Sequence, residues 1–82
     1  MPISDGKVNV TEIILDADSP VIGQSLKDIR LPEGTLIGVV IRDNQPIIPR
    51  GATLLLDGDH IVLITLPASH GPAIKALLGD TE

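Results

Sequence analysis

Apolar positions along this chain change rhythm several times, and each rhythm predicts an element. Val8 to Leu15, "VNVTEIIL", opens with Val8 and Val10 alternating against Asn9 and Thr11. Alternation of β-branched residues predicts a strand. "DADSP", residues 16–20, ends it with turn formers. Ile22, Leu26 and Ile29 then fall at i, i+4 and i+7, which predicts a short amphipathic helix over Gly23 to Ile29. Pro32 and Gly34 stop that element.

Thr35 to Arg42, "TLIGVVIR", predicts a second strand. Strict alternation places Ile37, Val39 and Ile41 on one face, and Leu36, Gly38, Val40 and Arg42 on the other. Both faces are largely apolar, so the strand is expected inside the sheet. "DNQ" predicts a turn into an edge strand around Ile47 and Ile48, where flanking prolines are tolerated. Gly51 redirects the chain, and "DGD" at 57–59 predicts a tight turn. His60 to Leu66 is the last predicted strand. Ser69 is expected to cap a closing helix with Pro72 in its first turn. Ile74, Leu77 and Leu78 form its apolar stripe, and Gly79 ends it. The order is βαβββα: an α+β fold with a mostly antiparallel sheet and two helices. The expected organisation is a flexible segment over 1–7 and one domain over 8–79.

Composition narrows what such a domain does. A chain of 82 residues is one domain by length, and its core is marginal in size. Hydrophobic residues make up 43% and mean hydropathy is +0.33, too apolar for a disordered tail. No aromatic residue is present, so the core is aliphatic and no stacking platform exists for single-stranded nucleic acid. A net charge of -5 gives no basic footprint for a duplex. Nucleic acid is therefore not an expected partner. The absence of cysteine excludes disulfides and thiolate metal sites. No run approaches the ~20 apolar residues of a membrane span. The expected location is the cytoplasm, and the small apolar chain is expected to self-associate or join a larger protein.

Catalytic patterns are weak. Asp16 with Asp18 and Asp57 with Asp59 sit at spacing two, which suits a divalent cation but equally suits turns. No further ligand follows at calcium-loop spacing, so no metal site is predicted. His60 and His70 lie beside no nucleophile. Ser19, Ser25 and Ser69 lack a nucleophile-elbow setting and read as caps or turns. No phosphate-cradling glycine motif occurs. An enzyme is not expected, and no cofactor.

"IRDNQPIIPRG", Ile41 to Gly51, carries the remaining signal. Arg42 and Arg50 flank a proline-stiffened pair, Ile47 and Ile48. A planar guanidinium fork suits a phosphate, and the isoleucines suit a flat ring. The alternative is that both arginines are solvated or make surface ion pairs.

Four segments together resemble the RCK C-terminal domain, also called the TrkA-C domain. They are "VTEIILDADSPVIGQSLKDIRLP", "GTLIGVVIRDNQPIIP", "LLLDGDHIVLIT" and "HGPAIKALLG", running from Val8 to about Leu78 in order. The resemblance implies a βαβββα regulatory domain of potassium channels, potassium uptake systems or cation/proton antiporters. It implies a homodimer attached to or associated with a membrane channel or transporter, lying against the inner face of the membrane through that partner. The nucleotide-binding glycine loop of such proteins belongs to another domain, so NAD or ATP is not carried over. Some members bind cyclic di-AMP between paired domains. By that resemblance the ligand-facing residues are Val40, Ile41, Arg42, Ile47, Ile48, Pro49 and Arg50. Ile48 and Arg50 stand where ligand-binding members often carry Asn and His. A ligand-free dimerisation module and a divalent-cation sensor using Asp16, Asp18, Asp57 and Asp59 are the alternative expectations.

Overall fold

A computed structural model describes residues 6–79. Most of the segment read as flexible, residues 1–5, lies outside the described residues. Strand β1 is Asn9–Ile14, β2 is Thr35–Arg42, β3 is Gln45–Ile47 and β4 is His60–Thr65. They form one antiparallel sheet in the order β1-β4-β2-β3. β2 is internal, as its two apolar faces predict, and the proline-bearing β3 is an edge. Helix α1, His70–Leu78, closes the chain.

One face of the sheet holds the core. Thr11, Leu63 and Ile37 form one cross-strand row on that face; Ile13, Ile61 and Val40 form the next. Leu15, Val21, Leu55, Ala73 and Leu77 pack over these rows and are themselves buried. Each fully buried aliphatic side chain contributes about 1.5–3 kcal/mol of transfer free energy. Val40, Leu55, Ile61, Leu63, Ala73 and Leu77 are all fully enclosed, so this aliphatic cluster dominates stability without any aromatic residue.

The opposite face is uncovered. Its rows are Val10, Ile64 and Leu36; Glu12, Val62 and Val39; and Ile14, His60 and Ile41. Val10, Ile14 and Leu36 are about half exposed or more (49%, 57% and 60%).

Three expectations are corrected. Alternation along β2 fails because the register shifts between Ile37 and Val39, leaving Gly38 as the extra residue of a bulge. Ile37 and Val40 therefore share the core face, while Val39 and Ile41 join Leu36 on the open face. The helix over Gly23 to Ile29 is reduced to one 3₁₀ turn, Leu26–Asp28. Its helical periodicity is outcompeted by a neighbouring stretch of extended chain. The amides of Gly23, Leu26 and Lys27 donate to Leu55 O (2.7 Å), Thr53 O (3.0 Å) and Gly51 O (2.9 Å). Those donors are then unavailable for helical bonding. Ser69 does not cap α1. It lies in a 3₁₀ turn, Pro67–Ser69, and its hydroxyl donates to Glu33 O at 2.5 Å. Gly79 does end the helix, with a φ of 87° and its amide bonded to Lys75 O.

Candidate ligand-binding site

The hairpin within Ile41 to Gly51 turns at Asp43 and Asn44. Both have positive φ (52° and 63°), the left-handed pair that a two-residue hairpin of type I′ demands. Asp and Asn tolerate that region better than most side chains. The turn sets the register Arg42 to Gln45, Ile41 to Pro46 and Val40 to Ile47.

That register separates the two arginines. Arg42 sits at the turn end. Arg50 leaves the hairpin beside Ile37, five residues back along β2 or about 15 Å of strand. Arg42 Nε donates to Asp59 Oδ1 at 2.9 Å, and Nη2 donates to Asp59 Oδ2 at 2.8 Å. Nη2 also reaches the Leu54 carbonyl at 2.8 Å. Asp59 is 1% exposed and accepts a further bond from the Leu56 amide. The bidentate bond from Arg42 holds the Asp59 carboxyl below its usual range, against the opposing pull of burial. The same bond raises the Arg42 guanidinium.

The other expected ligand-facing residues are divided. Val40 is wholly enclosed in the core. Ile47 is half-buried against that core. Ile41 lines a polar hollow of about 450 Å³ with Glu12, Asp43, Asn44, Gly58 and His60. There His60 Nδ1 lies 2.7 Å from Glu12 Oε2. Ile48 projects at 71% exposure.

Pro49 and Arg50 line a second cavity of about 300 Å³, together with Leu26, Lys27, Leu31, Leu36 and Ile37. Its walls are aliphatic. Two cationic side chains, Lys27 and Arg50, belong to its lining, and backbone hydrogen bonds between the 3₁₀ turn and residues 51–53 hold their main chains together. Sequence reasoning missed Lys27, Leu26 and Leu31. A helical reading turns the leucine inward and the lysine to solvent. Only the pairing of two segments some 25 residues apart brings them to Arg50.

The paired aspartates are used in turns. Asp16 Oδ1 accepts the Asp18 amide at 2.9 Å, and Asp59 is committed to Arg42. Among the described residues no three acidic or histidine side chains gather as a metal set. Ser25 donates to Asp28 Oδ2 at 2.9 Å, and Ser19 accepts the Asp16 amide.

Against known proteins, the TrkA-C domain family model matches residues 10–71. The chain belongs to the TrkA-C domain family. TrkA-C domains are regulatory rather than catalytic. A Trk system potassium uptake protein trkA homolog 1 from Methanosarcina mazei is 33% identical over 66 residues, covering 80% of this chain and 16% of that protein. The Trk system potassium uptake protein TrkA of Haemophilus influenzae is 32% identical over 75 residues, 92% of this chain and 15% of its own length. This TrkA-C chain thus spans about a sixth of these relatives. A solved structure of an RCK domain with cda superposes with a TM-score of 0.71 at 22% identity, covering 83% of this chain and 96% of that one. That likeness shows the fold. No helix among the described residues is long and apolar enough to cross a membrane.

Proposed function

We propose that this domain is a ligand-sensing, dimerising regulator of a potassium uptake system, acting on the cytoplasmic face of a membrane transporter. The observation that carries it is the cavity of Pro49, Arg50, Lys27 and aliphatic walls, on a chain of the TrkA-C family. Cyclic di-AMP is the proposed ligand. Its bases are flat and apolar in their faces, and its phosphates suit the cations. Pro49 stiffens the wall and lowers the ordering cost of binding. The RCK-domain neighbour solved with cda supports a ligand-bearing fold. Arg42 serves the fold through Asp59, so Pro49 and Arg50 are the residues of the expected set that act on ligand.

The partner is a second copy. The open sheet face carries the half-exposed apolar side chains of Val10, Ile14 and Leu36 beside the Glu12–His60 pair, and isologous pairing would cover them with the same surface of a second copy. Ligand binding that favours one geometry of the pair shifts its equilibrium, and that shift passes to the attached transporter. Calorimetry with cyclic di-AMP on the folded chain tests the ligand. Absence of heat at high micromolar ligand refutes it. Sedimentation tests the pair: Ile14→Lys is expected to yield monomer where the parent chain dimerises, and a monomeric parent at about 100 µM refutes the interface.

The open face also favours a second reading, a ligand-free dimerisation module. It gains if the pair forms and calorimetry is silent.

A further inference from the structure

Lys27 is an exposed residue with an unassigned role. Its amide donates to Gly51 O at 2.9 Å, and its Cβ lies 3.5 Å from where a Cβ on Gly51 would stand. The root of the side chain is therefore fixed against the residue that follows Arg50. Both side chains line the same cavity. Neither makes a side-chain hydrogen bond or ion pair among the described residues, whereas Arg42 is fully engaged. In a chain of net charge -5, two unneutralised cations on one aliphatic cavity are a local reversal of sign. An anion bound in the cavity would be attracted by both charges.

The remaining lining has little to offer a base edge. Thr35 is its other polar side chain, and the Thr35 hydroxyl is buried. Leu26, Leu31, Leu36, Ile37 and Pro49 present only carbon. Recognition built this way reads charge and flatness.

We propose that Lys27 and Arg50 form a two-cation seat for the phosphates of a cyclic dinucleotide, while the aliphatic walls cover a base without reading its edge. The inference rests on the ligand-binding reading above and adds a second phosphate contact and a loose base preference.

Calorimetry on the full chain with cyclic di-AMP and cyclic di-GMP, alongside NMR titration with inorganic pyrophosphate, tests it. Lys27→Gln and Arg50→Gln are each expected to weaken cyclic di-AMP about fivefold or more, the effect of losing one charge-assisted contact at an open site. Lys27→Arg is expected to bind as the parent does. The two dinucleotides are expected to agree within about threefold, since side chains here do not discriminate exocyclic groups. Unchanged affinity in Lys27→Gln overturns the seat while leaving cyclic di-AMP sensing intact. A preference beyond about tenfold for one base overturns the wall argument. If the parent binds neither dinucleotide, pyrophosphate-induced shifts at the Lys27 and Gly51 amides uphold the seat and refute only the dinucleotide. Silence there as well refutes both. Matching melting temperatures across the variants exclude misfolding as the cause.

Discussion

Arg42, at the turn end of the hairpin, gives two hydrogen bonds to a carboxylate that is 1% exposed, while Arg50, at the exit, lines a cavity without a side-chain partner among the described residues. The two side chains are chemically identical and eight residues apart. What differs is the neighbour. β4 starts beside Arg42 and presents Asp59, whereas Arg50 meets the 3₁₀ turn and another cation. An arginine beside an apolar stretch is thus tied into the fold or left open to a cavity according to a partner supplied from far along the chain.

The largest effect expected from breaking this contrast is on Arg42. Arg42→Ala leaves the enclosed Asp59 carboxylate with only the Leu56 amide, and stability should fall by about 3 kcal/mol. Arg50→Ala should stay within about 0.5 kcal/mol, as for an ordinary surface change. Chemical denaturation of both variants checks this, and equal losses would erase the distinction. Next in size is an acid dependence confined to the Arg42 end. Asp59 has its folded value depressed, so its contribution is complete above the unfolded carboxyl value of about 4. It is lost as pH falls below that and through the folded value. Asp59→Asn should flatten this part of the stability–pH curve, whereas Arg50→Gln should leave it unchanged. Smaller still, Ile47→Ala should cost about 1–2 kcal/mol because Ile47 packs on the core. Ile48→Ala, one residue nearer Arg50, should cost about 0.5 kcal/mol or less. Thermal melts of the pair rank them. Glu12→Gln, at an exposed acid–histidine contact, should change stability least, by about 0.5 kcal/mol or less.

Much of the fold is legible in the sequence because its signals are local. β2, β4, the Asp43–Asn44 turn and the edge position of β3 follow from alternation, turn chemistry and proline placement. α1 is readable from its stripe and Gly79. The segment Gly23 to Ile29 is not, since a helix and a paired extended chain compete for the same amides and the winner is decided by residues 51–55. Alternation in β2 misleads because a bulge leaves no compositional mark beyond a glycine. At the site, Pro49 and Arg50 are reached through family resemblance. Arg42 is reached the same way, but its partner lies 17 residues away and nothing near it in sequence predicts the ion pair. Lys27 carries no local signal at all.

The bulge at Gly38 gives β2 one residue it can lose without exchanging its faces. One position of β2 is counted twice against β4 there. Deleting Gly38 would place Val39 directly after Ile37, and plain alternation would then keep Val40 and Arg42 inward and Val39 and Ile41 outward. Asp59 would keep its guanidinium, and the pairing of β2 with β4 would run on without a break. Aligned relatives with a one-residue gap at this point would thus lose the bulge and present the same surfaces beyond it.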